Sequence, residues 1–451
     1  MTLYVIVMGV FLVLSRYAHF LKLQDERYAV YNSLMMDVLF VDESEKERII
    51  NHELSDPEAI SMLSDKGIYI NDESADDKAL AVLRNAYQNM VGKIKMMYLI
   101  LTNSCNLNCR YCFLENNPYY DEKRSHMSEE IAMLAASKYC AYLKINKIES
   151  PLIVLYGGEP LINFETVKKV ISYISSNVKN PQYSLITNGT LLTDDICSFL
   201  KKYNVNIGIS IDGTKELHDK NRPFRGDGTG SFDSANKGRL MLIRNHINYG
   251  LSMTLSPQFL ECQDEVLEWL ATENETNVFY NLYHFSQTDE KWLDTAERTV
   301  EFITKSYDFF GNSSLAEGRI QRQIDSVLDN KFLFSDCGAI GCEQFVVMPN
   351  GDVTICHGDS NTNRHIVGNI QEIDIASIAD SEEGTQWIKR ATLYNDDCLS
   401  CEALFCCGGG CKQQAQNLFG SREKIDNFHC TYVKGVLKWV LEKAANNCNK
   451  S

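Results

Sequence analysis

The chain has 451 residues, 44% hydrophobic and 23% charged, the proportions of an ordinary globular protein long enough for two or three domains. Its formal net charge of -16 argues against a nucleic-acid-binding surface, which needs a basic stripe. Sixteen cysteines, clustered at short spacings in a large chain, read as thiolate metal ligands in a reducing cytoplasm rather than as disulfides.

The uncharged apolar stretch 3–14 is too short to span a bilayer and lacks the basic flank and cleavage site of a signal peptide. It is expected to precede the folded protein, whose start is placed near Met8 or just before Ser15. Residues 17–41 alternate polar and apolar side chains around a turn at Gln24, Asp25 and Glu26, the pattern of a small antiparallel meander. Two short helices follow at 43–54 and 56–66, the second opening with an Asp56 cap and Pro57 at its first position, and 66–70 returns as a strand. Strands followed by helices within about 85 residues make a small α+β domain with an exposed sheet edge. It resembles the winged-helix leader-recognition elements of peptide-modifying enzymes, where a leader peptide adds a strand to the sheet. A packing extension of the next domain is the alternative.

Apolar strands are predicted at 97–102, 152–156, 183–187, 207–211, 251–255 and 278–283, with helices such as 128–143 and 164–175 between them. Six such β-then-α units imply a parallel sheet covered by helices, which the sequence alone does not separate into open sheet or barrel. Helical connectors at 293–310 and 320–330 lead to a cysteine-dense, loop-rich segment beyond Cys337, closed by an amphipathic helix at 431–445. The expected division is 1–92, 93–286, 287–336 and 337–451.

The first strand runs into Cys105, Cys109 and Cys112, a C-x3-C-x2-C run inside YLILTNSCNLNCRYCFLENN. A structural zinc site wants a fourth ligand close by, and none follows. A cubane cluster has four irons, so three thiolates leave one iron free for a small molecule. With the aromatic Tyr111 before its last cysteine, the run resembles the signature of the radical S-adenosylmethionine (SAM) enzymes, in which the open iron is chelated by the amino and carboxylate groups of SAM. The resemblance implies a partial (β/α)6 barrel with its chemistry at the C-terminal strand ends.

After the second strand stands YGGEPL, where two glycines let backbone approach a ligand closely and a carboxylate can accept from an ammonium group. It resembles that family's GGEP motif, which implies that Gly157, Gly158 and Glu159 meet the methionine amino group of SAM. Further strand ends carry TNGT and SIDG. Asn188 and Ser210 are candidates for the ribose and carboxylate of SAM, followed by Asp212 and by Arg222, whose guanidinium suits a carboxylate. Plain turns and a surface ion pair are the alternatives.

The C-terminal array resembles the SPASM extension of radical SAM enzymes, which binds two auxiliary [4Fe-4S] clusters. Carried over residue by residue, Cys337, Cys342, Cys356 and Cys411 would hold the first, and Cys398, Cys401, Cys407 and Cys430 the second. Cys406 duplicates the position beside Cys407, so one of the two is spare. Paired zinc sites are the competing reading. Cys140, Cys197 and Cys262 fall in predicted helices as core residues, and Cys448 lies in a polar tail.

The resemblance implies three [4Fe-4S] clusters, SAM cleavage to a 5'-deoxyadenosyl radical, a flavodoxin- or ferredoxin-type reductant, and auxiliary clusters that accept the electron of a substrate radical. That fits oxidative modification of a ribosomally made precursor peptide by thioether or other cross-link formation, with no nucleic acid and no membrane involved. Anaerobic sulfatase maturases share the architecture but carry Asp immediately after the ligand equivalent to Cys356, where this chain has His357. His357 and Asp359 are candidate bases beside that ligand. Formylglycine formation is the alternative activity, and an iron-sulfur electron-transfer or binding protein the alternative of another class.

Overall fold

The computed structural model describes residues 5–7, 10–117, 119–275, 277–285, 291–311 and 317–448, and these form one nine-stranded sheet and two three-stranded sheets. The N-terminal strands are Val5–Val7 (β1), Val10–Leu14 (β2), Ala18–Lys22 (β3), Tyr28–Asn32 (β4), Leu39–Val41 (β5) and Tyr69–Ile70 (β6). β3, β4 and β5 are the expected meander, its first turn closed by Leu23 N–H donating to the Arg27 carbonyl, with Glu26 at positive φ. The apolar stretch expected ahead of the folded protein instead supplies β1 and β2. β2 pairs with β6, and Leu12 and Val13 are buried, so its hydrophobicity is that of a packed strand. Leu3 and Met8 lie outside the described residues.

Three helices complete this region. Glu43–Ile50 opens with a reciprocal capping box between Asp42 and Glu45, and Pro57–Asp65 is capped by Asp56 with Pro57 in its first turn. Ser74–Met90 follows β6.

Met96–Thr102 (β7), Leu152–Gly157 (β8), Gln182–Thr187 (β9), Asn206–Ile209 (β10), Tyr249–Leu255 (β11) and Val278–Leu282 (β12) lie side by side in chain order, all parallel. This is the expected partial (β/α)6 arrangement, with Glu129–Ile145, Phe164–Asn177, Asp194–Lys202, Phe232–Arg244 and Gln263–Thr272 among its helices. The two-residue period of a strand sorts the side chains. Met97, Leu99, Leu101, Ile153 and Leu155 join the helix residues Ala132, Ala136, Val167 and Ile171 in the main core, while Tyr98, Ile100 and Tyr156 take the opposite face.

The sheet does not end with the sixth unit. After the helices Trp292–Phe310 and Gly318–Leu328, Gln344–Val347 (β13) pairs parallel to β7, and Asp352–Thr354 (β14) and Gly368–Asn369 (β15) extend the edge antiparallel. The sequence reading of this segment as loops missed them because each is only two to four residues long. The closing helix, Asn427–Cys448, packs against both connector helices. Among the described residues no helix is long and apolar enough to cross a membrane.

The N-terminal region docks on the C-terminal segment through specific contacts. Tyr31 Oη donates to the Glu402 carbonyl at 3.0 Å and its ring meets Phe405 edge-on, while Tyr87 Oη donates to the Ile388 carbonyl and Arg84 Nε to the Leu393 carbonyl. Tyr31 is wholly buried. Tyr31→Ala should therefore cost about 3–5 kcal/mol of local docking energy. Limited proteolysis should then release the first ninety or so residues before the barrel is cut, whereas the wild-type protein resists at that boundary.

Candidate functional site

Because β7 to β12 are parallel, their C-terminal ends open on one face, and the residues singled out from sequence gather there. β7 runs into the loop of Cys105, Cys109 and Cys112, which are close enough to raise one another's thiol pKa. The end of β8 lies flat against this loop. Gly158 N–H donates to the Thr102 carbonyl and Glu159 N–H to the Ser104 carbonyl. A Cβ on Gly157 would stand 2.2 Å from the Thr102 oxygen and one on Gly158 2.3 Å from the Ser104 oxygen, so both positions require glycine. Gly157 also has φ +141.

Glu159 is fully buried and accepts from Thr187 Oγ1 at 2.7 Å, Asn188 N–H at 2.7 Å and Leu161 N–H at 3.0 Å. It thereby ties the end of β9 to the cluster loop, and burial outweighs these donors to push its carboxyl up to about 7. Asn188 Nδ2 donates to Asn106 Oδ1 at 2.8 Å and lies 3.9 Å from Cys105 Sγ. The Ser210 side chain is half-buried and makes no hydrogen bond. Asp212 holds Arg222 through two bonds of 3.0 Å, and both are buried. Tyr111 Oη donates to the same carboxylate, and the Arg222 guanidinium lies over the Tyr111 ring. Asp212, Arg222 and Tyr111 thus form one buried network beside Cys109, with Asp212 already filling two of the Arg222 donors.

The second array divides by its amides. Backbone N–H groups two residues downstream point at the sulfurs of Cys105 (Leu107, 3.4 Å), Cys356 (Gly358, 3.3 Å) and Cys401 (Ala403, 3.5 Å). Backbone amides three and two residues downstream also favour the thiolates of Cys112, Cys337 and Cys411, and the amide of Gly409 that of Cys407. Such donors suit a thiolate held on a cluster. Cys406 has none; its thiol donates to the Ala403 carbonyl from the core, which distinguishes it from Cys407. Cys398, Cys407 and Cys430 line one small cleft, and Cys401 lies within electrostatic reach of Cys398 and Cys430. Cys337, Cys356 and Cys411 are likewise mutual neighbours, whereas Cys342 is not among them. Burial raises every one of these thiols, to about 11 for Cys105 and about 12 for Cys411, so ionisation needs a compensating positive charge such as iron. Sulfur donors, amides and cleft fit iron-sulfur clusters, and the glycine cradle beside the triad fits a small ligand on its open iron.

Between the triad and Cys356 packs an aromatic cluster, of which the sequence reading named only His357. His357 stacks on Tyr98 at 5.1 Å and meets Phe113 and Tyr156 edge-on, and Phe113 also touches His284. Nδ1 of both histidines is buried without a hydrogen-bond partner, and burial lowers each imidazole to about 4, leaving it neutral. Tyr98 lies within electrostatic reach of Cys337 and Cys356, and Tyr156 of Cys112 and Cys105, so the cluster of rings lies between the two thiol sets. Asp359, the other candidate base, is held by Arg422 at 2.8 Å. The signal for Tyr98 and Tyr156 was a lone tyrosine at an alternate position of two otherwise aliphatic strands.

A parallel α/β sheet with a three-cysteine loop at its strand ends defines a cluster-bearing enzyme of the barrel class. The chain matches the Radical SAM superfamily over residues 99–299 and the SPASM iron-sulfur cluster-binding domain over residues 337–402. It belongs to the radical SAM enzymes with a C-terminal SPASM domain. It is 24% identical over 447 residues, 94% of this chain and 91% of the relative, to the radical SAM cyclopropyl synthase TigE of Paramaledivibacter caminithermalis. It is 24% identical to the cysteine-type anaerobic sulfatase-maturating enzyme of Clostridium perfringens, over 77% of this chain and 96% of that enzyme. Among solved structures it resembles anSMEcpe with bound AdoMet (TM-score 0.66, 18% identity, 80% of this chain and 96% of that one). It also resembles Streptococcus suis SuiB bound to the precursor peptide SuiA (TM-score 0.54, 16% identity, 92% and 99%).

The Glu159 carboxyl, raised above its unfolded value, favours the folded state when protonated. Its contribution is complete at low pH and is lost as pH rises through about 7. Urea midpoints of the SAM-free enzyme at pH 5 and pH 8 should show a fall worth up to roughly 3 kcal/mol that Glu159→Gln lacks.

Proposed function

We propose that this enzyme is a peptide maturase that oxidatively modifies a ribosomally made precursor by forming a new cross-link, a thioether or a carbon-carbon bond. When bound, the triad's cluster and SAM supply a 5'-deoxyadenosyl radical able to take a hydrogen atom from an unactivated carbon. The chain's own residues position the target. Gly157 and Gly158 hold the cluster loop against β8, and Tyr98, Tyr156, Phe113, His284 and His357 enclose the substrate residue away from water. The carrying observation is this aromatic cluster, set between the triad and the thiols of Cys337 and Cys356, with two buried imidazoles whose Nδ1 atoms have no hydrogen-bond partner among the described residues. Such an imidazole offers an unpaired acceptor nitrogen to which a substrate N–H, O–H or S–H can donate. The acidic groups nearby are engaged: Asp212 by Arg222, Asp336 by Arg319 and Arg322, and Asp359 by Arg422.

Support from relatives follows length. TigE and SuiB align with this chain over 94% and 92% of it, whereas the sulfatase-maturating enzyme of C. perfringens covers 77%. The region docked by Tyr31, with the free edge of its β3 to β5 meander, fits capture of the precursor's leader by strand addition. Formylglycine formation is the second reading, favoured by that enzyme's similarity and opposed by His357 after Cys356. A flavodoxin- or ferredoxin-type protein would supply electrons in a reducing cytoplasm.

Cys112→Ala should abolish 5'-deoxyadenosine formation from SAM and dithionite, while Cys401→Ala should keep some and lose peptide modification. Coexpressed with a candidate precursor peptide from a neighbouring reading frame, the wild-type enzyme should remove about 2 Da, two hydrogens, for each cross-link. Alkylation of free cysteine separates thioether from carbon-carbon products; an unchanged peptide mass together with a modified sulfatase sinks the maturase reading.

A further inference from the structure

Of the eleven cysteines expected to bind iron, Cys342 alone is walled in on every side. It is 0% exposed, like the core residues Cys197 and Cys406. Cys337 is exposed, Cys356 keeps 8%, and Cys411 and the ligands of the other two sets are partly accessible. Its surroundings are those of a core side chain. The charged or titratable groups within reach of its thiol are Asp380, Tyr87 and Tyr142, and not Cys337, Cys356 or Cys411.

The backbone explains why. From Cys337 the chain coils through Ile340 N–H to the Cys337 carbonyl, Cys342 N–H to the Ala339 carbonyl and Glu343 N–H to the Gly338 carbonyl. Cys342 itself sits at φ +54, a left-handed conformation uncommon outside glycine. Gly92 and Lys95 then clamp the segment from the other side, donating to the carbonyls of Gly341 and Glu343 at 2.8 Å each. The strand β13 that follows at once is fixed to β7.

We propose that the first auxiliary site is a three-thiolate site made by Cys337, Cys356 and Cys411, that Cys342 is a packing residue, and that a [4Fe-4S] cluster held there leaves one iron for an added thiolate. The proposal rests on the reading of the C-terminal segment as a cluster carrier. Thiolate is the donor a soft iron-sulfur core prefers. The spacing of Cys342 in sequence looks like that of a ligand, and only the turn at residues 337–343 removes it.

Iron analysis tests both levels. Reconstituted wild-type enzyme should hold about twelve iron atoms, three clusters of four. Cys342→Ser should keep that number, whereas Cys356→Ala and Cys401→Ala should each lose about four. Loss of about four irons from a folded Cys342→Ser protein overturns the proposal and leaves the carrier reading intact. A wild-type protein holding only about four irons overturns both. A second measurement leaves Cys342 in place. In the variant with Cys105, Cys109 and Cys112 all changed to Ala, only auxiliary clusters give an electron paramagnetic resonance signal after dithionite reduction. Titrating 2-mercaptoethanol should shift one of its two components and leave the other unchanged; a spectrum indifferent to the thiol overturns the open iron.

Discussion

The close approach of two stretches of backbone governs this active site. Residues 102–104 and 157–159 touch with no room for a side chain between them, and the amides of Gly158 and Glu159 complete the contact. This pins the first turn of the cysteine loop to the end of β8, and Glu159 passes the constraint on to β9 through Thr187 and Asn188. Asn188 returns to the loop at Asn106. The triad is thereby placed by covalent geometry and a few buried hydrogen bonds before any metal arrives. A methyl group at either glycine would displace it.

Electrostatics then work against the empty thiols. Each ligand set is buried enough that its sulfurs resist ionisation, and several of the cations nearby are already paired, Arg222 with Asp212, Arg225 with Glu115, Arg319 with Asp336 and Arg422 with Asp359. Iron is what makes the thiolates affordable, so cluster assembly and the folding of the loop-rich C-terminal segment are one process.

Much of this was legible in sequence because it is local. Cysteine spacing, strand periodicity and an Asp-Pro helix start are decided within a dozen residues, and the triad loop, the six parallel strands and the Pro57–Asp65 helix followed. What was not legible depends on contacts across the chain. Strands β13 to β15 are too short to show a period and exist because β7 offers them an edge. The apolar stretch before Ser15 reads as preceding the folded protein until β6 is seen beside it. His284, Tyr98 and Tyr156 look like ordinary barrel residues until His357 is set among them by a segment more than two hundred residues from Tyr98. Cys342 shows the opposite failure, a spacing that fits and a backbone turn that does not.

β13 has a further consequence. Because it continues the barrel sheet beyond β7, the segment that carries Cys356 and His357 hangs from the same hydrogen-bonded ladder as the strand that leads into Cys105. The separation between the triad loop and Cys356 is thus set by strand spacing, a fixed length of the β-sheet, rather than by a linker. Exchanging C-terminal segments among enzymes of this kind would succeed only where the incoming strand matches the β7 edge in register. An unmatched graft would both mistune that distance and leave a bare strand open to aggregation.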